Sequence, residues 1–282
     1  MSFPIEHQTP LPSNPELSVI VTTLNEEVTI ELCLRRILAV FPQGMEILVV
    51  DGGHDDTGRI VRELAQSCAA IRYIPNPNDR GKGHAMHVGL AAAQGQLIAQ
   101  IDADLQFLPE ELPLILEPLR QDQADVVLGS RFASGAKRLP GSTPPVRTFG
   151  NWVTSQYASV LFGCRMTDVL AGMKAWKRIV TERVRLVAEN CSYDAELPVK
   201  AVRAGFRVID VPITTDARQG GVSAIHVIRD GARILRDLTR FHLSRHFLCC
   251  TTRSKIIVGV RALCGRFAPK LAAESRSDSA TL

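Results

Sequence analysis

Short aliphatic runs that end on polar residues, each followed by a stretch with helical spacing, recur along this chain and constrain its fold more than any other feature. Leu17–Thr22 (LSVIVT), Glu46–Asp51 (EILVVD), Ile71–Ile74, Leu97–Asp102 (LIAQID), Ala124–Gly129 and Phe206–Pro212 read as strands. Their near-continuous apolar character suits strands buried on both faces, as in a parallel sheet. Helical spacing fills about residues 27–40, 57–68, 84–93 and 109–120, and later 147–162, 177–188 and 194–204. Parallel neighbours need such crossovers, so the expected fold class is α/β, with one Rossmann-like, mostly parallel sheet flanked by helices. Residues 133–146 (ASGAKRLPGSTPPV) form the longest loop-like stretch, suited to a mobile active-site loop or a linker.

Charge is unevenly spread. Residues 226–282 hold 11 of the 33 Lys and Arg but only 4 of the 29 Asp and Glu. A mildly acidic body therefore carries a basic C-terminal segment. From Ile225 to Leu248, Ile228, Ala232, Leu235, Leu238 and Phe241 recur at helical steps beside a row of Arg229, Arg233, Arg236 and Arg240. That pattern predicts either a basic amphipathic helix on anionic membrane lipid or a helix packed on the body with a solvated arginine face. The expected division is a flexible leader (1–16), a catalytic domain (17–223), a basic amphipathic helical membrane-associating segment (224–271) and a disordered tail (272–282).

Seven scattered cysteines without a Cys-x-x-Cys pair argue against a disulfide framework or a zinc site and for a reducing, cytoplasmic compartment. No basic stretch followed by an apolar run opens the chain, so no secretory leader is expected. No run reaches the roughly 18 apolar residues of a spanning helix, so any membrane contact is peripheral. With aromatics at 5% and an acidic body, no nucleic-acid partner is expected.

In open parallel sheets, ligands bind at the carboxyl ends of the strands. Three such ends carry polar clusters: Thr22–Glu26 (TTLNE), Asp51–Gly58 (DGGHDDTG) and Asp102–Gln106 (DADLQ). Asp102 and Asp104 at i, i+2 repel one another unless a cation lies between them. Their hard oxygens suit Mg2+ or Mn2+, which also bind the oxygens of a diphosphate.

In family order, the chain carries TTLNEE (22–27), VVDGGHDDTG (49–58), RGKGHAMHVGL (80–90), IDADLQFLPEEL (101–112), VVLGSRF (126–132), DVLAGMKAWKR (168–178), YDAEL (193–197) and VPITTDARQGGVS (211–223). With these motifs it resembles the family 2 glycosyltransferases of GT-A fold, in the dolichyl- and polyprenyl-phosphate branch. The resemblance implies an inverting enzyme that moves a sugar from a UDP- or GDP-sugar to a lipid phosphate. It implies a nucleotide-sugar site at Thr23, Asn25, Glu26, Asp51, Asp56, Gly81, Lys82, Asp102 and Ala103. Asp102, Asp104 and Gln106 would form the metal site for Mg2+ or Mn2+, with Asp104 catalytic. Arg131, Arg147, Arg218 and Ser223 would bind the acceptor phosphate, and Asp168 would face the acceptor or the donor sugar. A homo-oligomer or a membrane partner subunit is a further expected partner. Gly52, His54 and Ala224 depart from the residues usual in the branch.

Two alternatives stand beside that reading. An ionised phosphate acceptor needs only cations to place it, whereas a hydroxyl acceptor needs a base, for which Asp194 and Glu196 are the candidates. A non-catalytic nucleotide-sugar-binding module is the other.

Overall fold

The computed structural model describes residues 15–41, 43–220 and 226–244. Residues 1–14 of the expected leader, Ser223, Ala224 and everything expected of residues 245–282 lie outside them.

β1 (Leu17–Thr23), β2 (Met45–Asp51), β3 (Ile71–Pro75), β4 (Leu97–Asp102) and β5 (Val126–Ser130) fall where the aliphatic runs predict. Helices α1 (Ile30–Val40), α2 (Thr57–Ser67), α3 (Lys82–Ala92) and α4 (Leu112–Arg120) cross between them. β2 is buried at every residue, and β1 along all but Thr22, which matches helices on both sides of the sheet.

The sheet has seven strands in the order β3-β2-β1-β4-β7-β5-β8. β7 (Lys174–Lys177) is its one unpredicted member, antiparallel to both β4 and β5. Four residues with two lysines give little strand signal, yet Lys174, Ala175 and Trp176 are fully buried there. β7 is held by what lies on either side of it, and propensity contributes little. The expected helix at 177–188 shrinks accordingly to α6 (Arg178–Arg183). β8 (Val208–Pro212) restores parallel pairing beside β5.

Residues 133–146 are not all loop. β6 (Lys137–Arg138) pairs with β9 (Thr214–Thr215), tying this stretch to the segment after β8. α5 (Pro145–Phe162) follows, and α7 (Tyr193–Arg203) carries the YDAEL motif into the core.

α8 (Val227–Leu243) packs on α5 and α7. It buries Ile234, Leu238 and Phe241, while Ile228 stays 88% exposed. The buried stripe is thus rotated from the one the sequence suggests, because the core also takes Asp230, which accepts the backbone N–H of His226 at 2.8 Å. Tyr157 and Thr239 join α5 to α8 by a 2.7 Å hydroxyl hydrogen bond. α8 thus packs its Ile234, Leu238 and Phe241 against the body, while Arg229, Arg236 and Arg240 face outward together with Ile228 and Leu243. Leu238→Ala should lower stability by about 2–5 kcal/mol, the cost of a cavity in a closed core. Urea denaturation would measure it, and an unchanged midpoint would mean that α8 is not part of that core.

Candidate active site

The carboxyl ends of β1, β2 and β4 meet at one edge, and the polar residues after them gather there because the sheet leaves no other open place. Asn25 takes a positive φ of 58°, a conformation that asparagine tolerates, and its Oδ1 accepts the N–H of His54 at 2.9 Å. Asp51 ends β2 with its carboxylate filled by the hydroxyls of Thr23 (2.9 Å) and Tyr73 (3.2 Å) and the N–H of Gly53 (3.0 Å). Asp56 lies apart from this group, exposed and paired with Arg59 at 2.9 Å.

After β4 the chain turns sharply. Leu105 holds φ at 58°, and the Gln106 N–H donates to Asp104 Oδ1 at 3.1 Å, so the turn itself aims the Asp104 carboxylate. Ala103 is buried beneath the turn. Asp102 packs so closely on Gly172 that a Cβ there would lie 2.0 Å from its Oδ2. Gly172 is therefore required for approach, not for backbone freedom. Gln106 turns its amide toward the carbonyl of Ser142 in the 133–146 stretch.

Two chains of alternating charge hold this edge. In the first, Lys82 bridges Asp102 (2.7 Å) and Asp194 (3.0 Å), and Lys174 lies behind Asp194 at 2.9 Å, fully buried. Gln100 adds a 2.9 Å bond to the same Asp194 oxygen. In the second, Arg218 bridges Asp104 (2.9 Å) and Glu26.

The titration behaviour follows from these contacts. Burial opposes ionisation of Asp194, but the Lys174 and Lys82 ammoniums outweigh it and hold the carboxyl at about 2. Burial pushes Asp104 up, with Asp102 adding to it. Glu26 is pushed up to about 7, first by burial, which exceeds the opposing pull of Arg218.

Arg131, fully enclosed, forks onto Asp168 at 2.6 and 2.8 Å, so the structure gives Asp168 to Arg131. Arg147, on α5, reaches the same cavity, where burial first, then Arg131 and Arg218, lower its pKa. Lys82, Asp102, Asp104, Gln106, Arg131, Arg147, Asp194 and Arg218 all line one cavity, roofed by α5 through Gly150, Asn151 and Thr154.

Glu196 does not join them. Fully buried, it accepts the N–H groups of Val187 (2.8 Å) and Ala188 (2.8 Å) and pairs with Lys200, holding the segment before α7 in place. On a helix, i and i+2 point to different sides, so Asp194 and Glu196 part company. Asp56 is likewise not at this cavity, and Gly81, at φ 121°, forms the entry to α3. The sequence reading passed over Lys174, Gln100 and Gly172. The signal for Gly172 and Lys174 lay in the LAGMKAWK stretch, where a lysine falls inside an apolar run, and that for Gln100 in LIAQID, where an amide does.

A divalent cation can be tested against these charges. Asp104 and Glu26 are buried and Asp102 is half-buried, and Asp104 is raised first by burial and then by the Asp102 charge, so a cation beside the pair would favour its ionised form. Among the described residues no three His, Cys, Asp or Glu side chains form a metal-ligand cluster. The protein thus offers two hard carboxylates and leaves the other positions to a ligand's oxygens and water, the habit of Mg2+. The residues fit such an ion.

Residues 18–173 match the glycosyl transferase family 2 profile. The chain belongs to that family. It is 31% identical over 216 residues to a polyprenol monophosphomannose synthase of Mycolicibacterium smegmatis, covering 73% of this chain and 79% of the relative. Similarity to an undecaprenyl-phosphate mannosyltransferase of Micrococcus luteus is 29%, covering 72% and 85%. The low-salt glycan biosynthesis hexosyltransferase Agl6 of Haloferax volcanii is 30% identical over 79% of this chain, which spans about half (52%) of that protein. The fold matches glucosyl-3-phosphoglycerate synthase of Mycobacterium tuberculosis, solved with Mn2+, UDP and its product, at a TM-score of 0.61 and 22% identity, covering 82% and 80% of the two chains. The GT-A architecture expected from the motifs is therefore the one observed.

Glu26 gives this edge a pH signature. The folded carboxyl keeps its proton up to about 7, whereas the unfolded one releases it near 4.5. Between those values the folded state binds more protons, so this residue's contribution to stability falls as pH rises. Glu26→Gln should flatten that slope, bringing thermal midpoints at the two ends of the window closer together than in the unaltered protein. Asp194→Ala strands the buried Lys174 ammonium and should cost about 3–5 kcal/mol in chemical denaturation.

Proposed function

We propose that this glycosyltransferase moves a sugar, with inversion, from a UDP- or GDP-sugar to a polyprenyl phosphate at the cytoplasmic face of a membrane. One observation carries the reading: a single cavity is lined both by the Asp102/Asp104 pair and by Arg131, Arg147 and Arg218. The names of the Mycolicibacterium and Micrococcus relatives support the acceptor class.

In this reading Thr23, Asn25, Asp51 and Gly81 mark the nucleotide end of the site, and Lys82 stands where the diphosphate arrives. Mg2+ or Mn2+ held by Asp102 and Asp104 would neutralise charge growing on the leaving diphosphate. The arginines supply planar forks for the acceptor's phosphate. A phosphate monoester with its second pKa near 6 is already largely ionised at neutral pH, so no base is required. Asp194 supports that economy. Locked between two ammoniums and held at about 2, it is a poor proton acceptor, and Glu196 is sealed in the core. The hydroxyl-acceptor alternative thereby loses both of its candidate bases.

Membrane attachment rests on two neighbouring surfaces. α5 lines the cavity on one side and on the other exposes Val146, Phe149, Trp152 and Val160, with Phe149 stacked on Trp152. Beside it runs the outward arginine row of α8. Aromatic side chains next to cations suit the boundary of an anionic bilayer. No helix among the described residues is long and apolar enough to cross a membrane. The free thiols of Cys33, Cys68, Cys164 and Cys191 are in keeping with a reducing compartment.

Labelled UDP- and GDP-sugars offered with polyprenyl phosphate should give a chloroform-extractable product that EDTA abolishes. Asp104→Asn should reduce its rate about 10²–10³-fold, the scale of losing one transition-state charge contact. Consumption of no donor with any acceptor would overturn the reading. Replacing Phe149 and Trp152 with Ser should weaken co-sedimentation with anionic vesicles about tenfold or more, since each buried aromatic is worth about 1.5–3 kcal/mol. Turnover of a detergent-dispersed acceptor should fall far less.

A further inference from the structure

Arg218 is attached to the wrong partners for an acceptor-binding residue. Its Nη1 lies 2.9 Å from Asp104 Oδ2, its Nη2 pairs with Glu26, and its Nε donates to the Gly220 carbonyl at 3.0 Å. Asp104 Oδ1 is already engaged by the turn through the Gln106 N–H. The guanidinium therefore covers Asp104 Oδ2, the oxygen that the turn leaves open to an incoming cation. Meanwhile Arg131 is committed to both oxygens of Asp168, so its charge is largely neutralised where it stands.

We propose that Arg218 is a resident stand-in for the divalent cation, holding Asp104 and Glu26 together until the metal displaces it from Asp104. The proposal rests on the glycosyl-transfer reading above.

The local backbone permits the exchange. Asp216 N–H donates to the Gln106 carbonyl at 2.9 Å, and Gln219 N–H to the Asp104 carbonyl at 3.0 Å. These bonds pin the strand-like segment against the metal turn, so the side chain can swing about its own torsions while its Cα stays in place. Charge provides the reason for the swing. With Arg218 in place, the carboxyls of Glu26 and Asp104 share one guanidinium. A divalent cation on Asp104 removes half of what holds the guanidinium there.

Titration of Mn2+ alone, followed by the loss of its free-ion electron paramagnetic resonance signal, tests the stand-in role. Arg218→Gln should bind Mn2+ about tenfold more tightly than the unaltered protein, the equivalent of about 1.4 kcal/mol of ion pairing no longer displaced. Arg218→Lys keeps the charge without the fork and should fall between, which guards against a folding defect in the first variant. A residue that merely supports the site would give the opposite sign, so equal or weaker Mn2+ binding by both variants overturns the stand-in while leaving the metal site intact. Asp104→Asn should bind no Mn2+. If no protein, with or without UDP, takes up Mn2+, the reading beneath fails as well.

Discussion

Buried negative charge at the edge of the sheet is the constraint on which the rest of this structure depends. Asp102, Asp104, Glu26 and Asp194 are brought together by strand ends and one helix start, where burial opposes the ionisation of Asp104, Glu26 and Asp194. Lys82, Lys174 and Arg218 thread between them as alternating counter-charges. The arrangement explains features that look unrelated. β7 exists to carry Lys174 beneath Asp194, and Gly172 precedes it because the Asp102 carboxylate needs the space. The segment after β9 lies against the turn after β4 because Arg218 must reach across. The cavity is accordingly a place of managed charge, in which carboxylates and cations alternate.

The same logic separates residues that act in the cavity from residues that hold it. Asp194 and Glu196 stand two positions apart in one motif and do different things. The first faces the cavity between two ammoniums, and the second satisfies backbone N–H groups in the core. Likewise Arg131 and Asp168 form an enclosed pair that sets the cavity wall, leaving Arg147 and Arg218 nearer to what enters. A family resemblance cannot make these distinctions, because motif positions mark where a residue stands and not what already occupies it.

Legibility followed the strength of the local signal. β1, β2 and β4 were readable because both faces of each are covered, so their aliphatic runs leave no alternative period. The Asp102-x-Asp104 turn was readable because two carboxylates at i, i+2 repel one another unless positive charge lies beside them. β7 was not readable. A strand that alternates lysine with Ala and Trp takes its state from β4 and β5 on either side, and nothing within its four residues specifies that. In α8 the helical period was evident but its phase was not. The stripe from Ile228 to Phe241 and the one through Ile234 and Leu238 are both helical, and only packing on α5 and α7 chooses between them.

The sequence by itself determined the α/β class, the family, the order of the strand-end motifs and the carboxylate pair, because each depends on residues close together in the chain. Tertiary structure alone decided which charges meet. Lys82 and Lys174 converge on Asp194, and Arg218 reaches Asp104 and Glu26, across separations of many tens of residues that no periodicity encodes. Coulombic pairing in a low-dielectric edge is decided by distances in space, and those exist only once the sheet has closed.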